Sequence, residues 1–245
     1  MANNSLIVSN LSKRYGRRLV VKDLSFAMSS GEIVGLLGPN GAGKTTTFYM
    51  IVGFLKARRG SIVLNGEDVT DLPMHERALK GLSYLPQEPS IFRKLSVHDN
   101  ILLVVQSRND LSRREKASLV DELIVEFGLG NVTRQKGYTL SGGERRRCEI
   151  ARALGSNPAF LLLDEPFAGI DPKAVYEIKL LIKKLANQGI GILLTDHNVR
   201  DTLSVTTSSH IIHEGSILVS GAKEELLAHE LARKIYFGEE FEGGV

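Results

Sequence analysis

Cysteine, tryptophan and long hydrophobic runs are almost absent from this chain of 245 residues. Cys148 is the single cysteine, so an internal disulfide framework is excluded and a reducing compartment such as the cytosol is expected. No basic segment followed by an apolar stretch begins the chain, which argues against a secretory signal, and no apolar run approaches the ~20 residues that span a bilayer. We therefore expect a protein that is soluble by itself.

A strong excess of either charge is also lacking. The formal net charge is +3 at pH 7, and we interpret the basic runs Arg17–Arg18 and Arg145–Arg147 as solvated faces rather than as a stripe that binds nucleic acid. Nucleic-acid binding is therefore not expected. A hydrophobic content of 42% and a charged content of 24% are typical of a globular protein that can form one α/β domain.

The hydrophobic pattern divides the chain into strand-like and helical parts. Near the N-terminus, "SLIVSNLS", "LVVKDLSFAM" and "SIVLNG" predict antiparallel strands. The later runs "EIVGLLG", "GLSYLP", "FLLLD", "GIGILLTD" and "HIIHEGSILVSG" are more continuously apolar, which predicts strands of a sheet covered on both faces. Between Pro89 and Asn157 the pattern is helical, so we predict a helical insertion into an α/β core.

Two Ser-x-x-Glu pairs predict the starts of helices in this insertion. Ser112 with Glu115 and Ser141 with Glu144 have the spacing of a capping box, in which each residue hydrogen-bonds the backbone of the other. The second pair lies in "LSGGE", where two glycines leave the free N–H groups of a helix end accessible to an anion. Pro172 predicts the first position of a further helix.

A phosphate-binding loop is predicted at "GPNGAGKT", because this stretch follows an apolar strand and precedes a helical one. Its glycines let the backbone wrap a phosphate, Lys44 can reach the β and γ phosphates of a nucleotide, and Thr45 offers a hydroxyl to Mg²⁺. A plain glycine-rich turn is the alternative, and the matching context argues against it. The candidate nucleotide-binding residues are Gly38, Pro39, Asn40, Gly41, Ala42, Gly43, Lys44, Thr45 and Thr46.

Two adjacent acids end the apolar strand "FLLLDEP". We expect Asp164 to lie at the carboxyl edge of the sheet, where it can hold Mg²⁺, and Glu165 beside it, where it can orient or deprotonate an attacking water. A solvated turn is the alternative for either acid alone. The pair at the end of a buried strand, in a chain with a phosphate-binding loop, favours the catalytic interpretation.

Three further side chains are candidates with open alternatives. His197 in "LLTDHNV" follows another apolar strand and could hydrogen-bond the γ phosphate near Glu165, although a lone histidine is usually structural. Gln87 in "YLPQEPS" can reach Mg²⁺ or water through its amide, or is a plain polar loop residue. Tyr15 in "LSKRYG" could stack on adenine, or is an aromatic residue at a strand edge.

With "GPNGAGKT", "LSGGE" and "LLLDEP" in this order, the chain resembles the ATP-binding subunits of ABC transporters over essentially its whole length. The resemblance implies an Mg²⁺-dependent ATPase in which two copies form a homodimer around two ATP. Ser141, Gly142 and Gly143 of one copy, in a signature that also includes Glu144, would close over the ATP bound at Lys44 of the other copy. Glu144 stands where the family usually has Gln, a change that keeps the capping box.

The resemblance also implies the fold and its subdivision. We expect an α/β fold with a RecA-like P-loop core, an N-terminal antiparallel β subdomain and an inserted α-helical subdomain. Within one ABC ATPase domain over residues 1–245, residues 1–88 and 158–220 would form the core, 89–157 the helical signature subdomain and 221–245 a C-terminal tail. Asp171 resembles a residue of the family that contacts the nucleotide across the dimer interface, and it is equally an N-cap before Pro172.

Because the chain has no membrane span, the resemblance implies two separate transmembrane permease subunits, with membrane contact only through them, on the cytoplasmic face of the inner membrane. Ile91 and Phe92 are candidate anchors for these partners, or core residues. "LPQEPSIFRKLSV", "DEPFAGIDP" and "YFGEEF" resemble the ATPases of lipopolysaccharide export, in which Tyr236 and Phe241 would contribute dimer contacts, unless they belong to a frayed end. An ATPase of a branched-chain amino acid importer, a soluble ABC protein without a transport role and a nucleotide-binding regulator without turnover are the alternatives.

Overall fold

The structure is a computed structural model and describes residues 4–237. Phe241 lies outside the described residues. The strands are β1 Ser5–Tyr15, β2 Arg18–Ser29, β3 Ile33–Leu37, β4 Arg59–Leu64, β5 Glu67–Asp68, β6 Leu82–Leu85, β7 Phe160–Asp164, β8 Gly191–Thr195, β9 Ser208–His213 and β10 Ser216–Gly221. The helices are α1 Lys44–Val52, α2 Met74–Leu79, α3 Val97–Val105, α4 Arg113–Glu126, α5 Gly142–Leu154, α6 Pro172–Asn187, α7 Val199–Leu203, α8 Lys223–Ala228 and α9 Glu230–Ala232.

The strands form two sheets. The first has the order β2-β1-β4-β5, and its neighbouring strands are antiparallel. The second has the order β10-β9-β3-β8-β7-β6, with parallel pairing from β9 to β6 and β10 antiparallel at its edge. The predicted α/β fold with antiparallel strands near the N-terminus is therefore confirmed.

The run "HIIHEGSILVSG" forms two strands rather than one. The chain reverses at Glu214 and Gly215 and forms the antiparallel pair β9 and β10. Both turn residues have left-handed φ angles, 48° and 87°, which a two-residue hairpin turn of this kind requires. The Glu-Gly pair inside the apolar run is the turn signal that the interpretation overlooked.

The central strands of the second sheet are covered on both faces. Every residue of β3, β7 and β8 is buried, as expected for parallel strands between two layers. Leu162 joins a cluster formed with α1 and the antiparallel sheet. Leu161 and Leu163 point the other way, into a cluster that includes side chains of α3, α4, α5 and α6. Successive side chains of β7 therefore pack into the layers on opposite faces of the sheet.

Helices α3, α4 and α5 lie between β6 and β7 in sequence. Helix α4 has an apolar face, on which Val120, Leu123, Ile124 and Phe127 are all buried. The helix ends before Gly128, whose φ of 61° is left-handed. Within residues 4–237, none of the helices is both long and apolar enough to cross a bilayer.

The parallel strands place the candidate residues at one edge of the second sheet. The P-loop follows β3, Asp164 ends β7, and Gln87 and His197 come soon after β6 and β8. Since the carboxyl ends of neighbouring parallel strands meet at the same edge, side chains that are distant in sequence converge there.

Candidate active site

The P-loop connects β3 to α1 and presents a helix end without a side-chain cap. Gly43 precedes α1, has a left-handed φ of 112° and provides no side-chain hydrogen bond to the helix. A Cβ atom at Gly43 would lie 2.9 Å from the carbonyl oxygen of Val20, so the backbone conformation and the close packing both require glycine. The first N–H groups of α1 are left for an anion, which a helix N-terminus binds readily.

Lys44 is held inside this loop. Its Nζ donates to the carbonyl oxygens of Gly38, at 2.6 Å, and Pro39, at 3.1 Å. The residue is buried, and burial lowers the pKa of the ammonium, while the carboxylates of Glu165 and Asp164 oppose this effect. A cation placed in this way between a helix end and two acids can bind the phosphates of a nucleotide.

A cavity of about 150 Å³ joins the P-loop to the catalytic candidates. The residues that line it are Val20, Asn40, Gly41, Gly43, Lys44, Thr45, Thr46, Glu165 and His197. The structure therefore brings together residues predicted from three separate stretches of sequence.

Both oxygens of the Glu165 carboxylate have partners from the other candidate motifs. His197 Nε2 lies 2.5 Å from Oε1, and Gln87 Nε2 donates to Oε2 at 2.6 Å. Burial raises the pKa of Glu165, and the nearby His197 opposes this effect. A carboxyl group with a raised pKa, held between an amide and an imidazole, is suited to accept a proton from water.

The backbone at Glu165 is held in a left-handed conformation, with φ at 47°. Its N–H donates to the carbonyl oxygen of Thr195 at 2.9 Å. This conformation is unfavourable for a residue with a side chain, and such residues occur often at functional sites. It turns the chain sharply after β7, so that Asp164 and Glu165 present their carboxylates to different neighbours.

The oxygen ligands at the sheet edge fit Mg²⁺. The hydroxyl of Thr45, the carboxylate of Asp164 and the amide oxygen of Gln87 are the hard donors that this cation prefers. The part of the chain that the structure describes contains no group of three or more His, Cys, Asp or Glu side chains that could hold a metal by themselves. Mg²⁺ would therefore need further ligands from phosphate or water, which is its usual manner of binding beside a nucleotide.

The prediction that Arg145–Arg147 form a solvated face is wrong for Arg146. This side chain is buried and donates to the carbonyl oxygens of Pro86 at 3.0 Å and Asp164 at 3.2 Å. It also pairs with Glu149 at 3.3 Å. Glu149 in turn accepts hydrogen bonds from the backbone N–H groups of Ser90 and Ile91. Helix α5 is thereby tied to the segment that carries Gln87 and to the end of β7.

Sequence reasoning missed this network although a signal was present. Arg146 and Glu149 are three residues apart and share a helix face with the apolar Ile150, so the helical period placed them toward the interior. Asp196 was also overlooked. Its buried carboxylate accepts from the N–H groups of Phe167 at 3.1 Å and Asn198 at 2.9 Å and so shapes the loop beside His197.

The capping box of the "LSGGE" helix is confirmed. Ser141 Oγ accepts from the N–H of Glu144 at 3.3 Å, and the carboxylate of Glu144 accepts from the N–H of Ser141 at 2.9 Å. A Cβ atom at Gly143 would lie 2.8 Å from the Cβ of Ala174, so the glycine lets α5 approach α6 closely. Ser141, Gly142 and Gly143 are not among the residues that line the cavity at Lys44 of the same chain.

Asp171 caps helix α6, since its Oδ1 accepts from the N–H of Ala174 at 3.1 Å. The predicted role of Asp171 as an N-cap is thus confirmed. Its contact with nucleotide across a dimer interface stays a prediction. The side chain is exposed at the same helix end that packs against Gly143.

Tyr15 is not among the residues that line the cavity at Lys44. It is 47% exposed at the end of β1, and the Nζ of Lys13 lies 5.7 Å from the centre of its ring. A second cavity, of about 420 Å³, borders the P-loop. Arg18, which pairs with Tyr15 between β1 and β2, lines this cavity, but Tyr15 does not. Stacking on adenine therefore stays a prediction.

The structure separates the two candidate partner anchors. Ile91 is 7% exposed and packs in the helical cluster, so it is a core residue. Phe92 is 49% exposed, with the Arg152 guanidinium 5.4 Å from the centre of its ring. Tyr236 packs against an apolar cluster around Leu37, which excludes a frayed end at this residue.

Comparisons with known proteins show the family to which the chain belongs. The family model described as ABC transporter matches residues 21–168. The chain is 52% identical over 236 residues to the lipopolysaccharide export system ATP-binding protein LptB of Haemophilus influenzae, covering 96% of this chain and 98% of that protein. It is 51% identical over 237 residues to LptB of Escherichia coli, covering 97% and 98% of the two chains.

Further similarities point to the same family. A probable ABC transporter ATP-binding protein of Azorhizobium caulinodans is 54% identical, with 98% of this chain and 85% of that protein covered. The crystal structure of a nucleotide-free ATP-binding cassette from an ABC transporter matches with a TM-score of 0.85 and 26% identity, covering 96% of this chain and 100% of the other. An ATP-binding cassette of an ABC transporter in its ADP conformation matches with the same TM-score and identity, covering 96% and 99%.

Proposed function

This chain belongs to the ABC transporter family of ATP-binding proteins, and from that membership we propose that it is the ATP-hydrolysing subunit of a lipopolysaccharide export transporter. The observation that carries the enzymatic part is the cavity in which the P-loop lysine meets Glu165 and His197. The observation that carries the transport part is the similarity to the LptB proteins over nearly the full length of both chains.

The residues of the cavity divide the work of phosphoryl transfer to water. The N–H groups at the start of α1 and the Lys44 ammonium bind the phosphates and orient the γ phosphate. Glu165 accepts a proton from the attacking water, and the exposed His197, beside Glu165, can donate to the γ phosphate. Thr45, Gln87 and Asp164 would hold Mg²⁺, which when bound neutralises charge on the β and γ phosphates.

The helix end that begins with Ser141, Gly142 and Gly143 supplies the missing side of the site from a second copy of the chain. A single helix end stabilises an anion by only about 0.3 to 2 kcal/mol. Closure of the homodimer therefore needs several such contacts and both nucleotides. Two-fold symmetry makes the contacts reciprocal, so that each copy completes the site of the other.

We place the homodimer on the cytoplasmic face of the inner membrane, bound to two permease subunits that make the membrane contact. The half-exposed ring of Phe92 lies next to the Arg146–Glu149 network, through Ser90 and Ile91. A partner that binds at Phe92 would thus contact a segment that is hydrogen-bonded to α5. Helix α5 is in turn hydrogen-bonded, through Arg146, to the carbonyl oxygen of Asp164, which precedes Glu165.

The enzymatic proposal is tested by replacing Glu165 with Gln. The variant keeps the shape of the side chain but cannot accept the proton, so we expect retained ATP binding, an accumulated closed dimer and loss of phosphate release. Glu224→Gln, at an exposed position of α8, is the matched control. Unchanged turnover in Glu165→Gln would contradict the proposal.

The transport proposal is tested with membranes that contain the permease pair of a lipopolysaccharide export system. Lipopolysaccharide release is compared between the natural protein, Lys44→Ala and Lys223→Ala, which changes an exposed lysine of α8. We expect release only where Lys44 is present. Release without Lys44, or reconstitution of amino acid uptake instead, would refute the assignment.

A further inference from the structure

The Asp164 carboxylate is held by two hydroxyl groups from the neighbouring strands. Thr195 Oγ1 donates to Oδ1 at 2.7 Å, and the Tyr84 hydroxyl lies 3.3 Å from Oδ2 as its donor. Thr195 is the register partner of Asp164 in β8, whereas Tyr84 reaches it from β6 on the other side of β7. The orientation of a carboxylate that binds a metal depends on such outer partners, because they fix the direction of its lone pairs.

The Tyr84 ring connects this buried carboxylate with the protein surface. It packs edge-to-face on Phe54, with ring centres 5.8 Å apart, and on Tyr49, with ring centres 6.3 Å apart. Tyr49 and Phe54 also contact each other at 5.6 Å. Phe54 is 53% exposed, whereas Asp164 is buried. The position of the Tyr84 hydroxyl therefore depends on an aromatic cluster whose outer member meets solvent.

We infer that Tyr84 is a positioning residue for the metal: its hydroxyl orients Asp164, and the Tyr49–Phe54–Tyr84 cluster sets the place of that hydroxyl. The inference rests on the proposed function, since it concerns the cation that accompanies ATP. A change at the half-exposed Phe54 should thus alter metal binding at Asp164 without removing any ligand of the metal.

The test is the variant Tyr84→Phe, which keeps the ring and removes the hydroxyl. Mn²⁺ is titrated as a paramagnetic probe in the presence of a non-hydrolysable ATP analogue, and binding is followed by electron paramagnetic resonance. We expect the dissociation constant for Mn²⁺ to rise about tenfold, the lower end of the range for outer partners because the bond is long. Affinity for the nucleotide in EDTA should stay that of the natural protein.

Two further variants test whether weaker Mn²⁺ binding results from the loss of the Tyr84 hydroxyl. Tyr176→Phe removes a hydroxyl from an exposed ring on α6 and should bind Mn²⁺ normally. Phe54→Ala should weaken Mn²⁺ binding by less than Tyr84→Phe. If Tyr84→Phe has lost affinity for the nucleotide in EDTA, that variant is misfolded. Phe54→Ala is then the variant that tests the inference.

Unchanged Mn²⁺ affinity in a folded Tyr84→Phe variant, or in Phe54→Ala where that variant carries the test, overturns the inference while the proposed function stands. If the natural protein with nucleotide bound no Mn²⁺ and hydrolysed no ATP, the proposed function would fail, and the inference with it. The two failures are distinguishable because the first concerns only the variants.

Discussion

Two helices of this protein, α4 and α5, begin with a Ser-x-x-Glu capping box. A comparison of the two serines can distinguish a structural role of Ser141 from a nucleotide-binding one. In α5 the N–H of Glu144 donates to Ser141 Oγ at 3.3 Å and the return bond measures 2.9 Å. In α4 the N–H of Glu115 donates to Ser112 Oγ at 3.3 Å, with a return bond of 2.8 Å. In α5 the Ser141 hydroxyl also donates to the Glu144 carboxylate at 2.7 Å. Removing either hydroxyl should lower the free energy of unfolding by about 1 kcal/mol through the lost cap, and Ser141→Ala loses the bond to Glu144 in addition.

The two substitutions should differ in their effect on ATP hydrolysis. Ser141 is proposed to face the γ phosphate held by a second copy, and a hydrogen bond to a charged group is worth about 1.5 to 3 kcal/mol. Ser141→Ala should then lower kcat/KM about 10- to 150-fold. Ser112→Ala should leave kcat/KM unchanged, because the start of α4 carries none of the candidate site residues.

Urea unfolding followed by circular dichroism gives the stability of both variants, and phosphate release at a protein concentration that permits dimerisation gives kcat/KM. If Ser141→Ala loses about 1 kcal/mol of stability but keeps its turnover, the serine is a cap only. If Ser112→Ala is equally inactive, the loss comes from a weakened helix rather than from a missing contact with nucleotide.

Arg146→Met should lower the free energy of unfolding by about 3 to 5 kcal/mol, because it leaves the buried carboxylate of Glu149 without its cation; a loss below about 1 kcal/mol in urea unfolding would contradict this. Burial raises the pKa of Asp196, so its ionised form costs stability as pH rises above the unfolded value of about 3.9. Asp196→Asn turns an amide nitrogen toward one of the two N–H groups that the carboxylate accepts, so it should be less stable than the natural protein near pH 4. This deficit should shrink as the pH rises toward 7, and a pH-independent difference would refute the reasoning. Gly215→Ala should weaken ATP binding, measured by calorimetry, because its N–H bonds the P-loop backbone and a Cβ there meets a carbonyl of β2. Gly66→Ala has a similar left-handed φ with open space around the Cβ and should leave ATP affinity unchanged.

Local sequence patterns predicted the parts of the fold that depend on neighbouring residues. The capping boxes at Ser112 and Ser141 and the first helical position of Pro172 involve residues within one helical turn, and all three were confirmed. The apolar face of α4 follows from the helical period alone. The antiparallel strands near the N-terminus were likewise confirmed.

Sequence patterns were insufficient where a side chain's surroundings come from distant parts of the chain. Arg146 lies in a run of three arginines, yet two of its partners are carbonyl groups 60 and 18 residues away along the chain. Ile91 was an open choice between anchor and core until the helical cluster placed it inside. The turn at Gly215 was missed, and its N–H bonds the P-loop backbone across more than half of the chain.

The amino-acid sequence by itself determined the order of the motifs, the caps that begin the helices and the strand ends at which the candidate residues stand. Only the tertiary structure decided which of those ends adjoin, and thus that Gln87 and His197 share the Glu165 carboxylate while Tyr84 reaches Asp164. The reason is physical: a capping bond or a helical period acts within a few residues, whereas the pairing of β6, β7 and β8 sets distances between side chains that sequence separation does not limit.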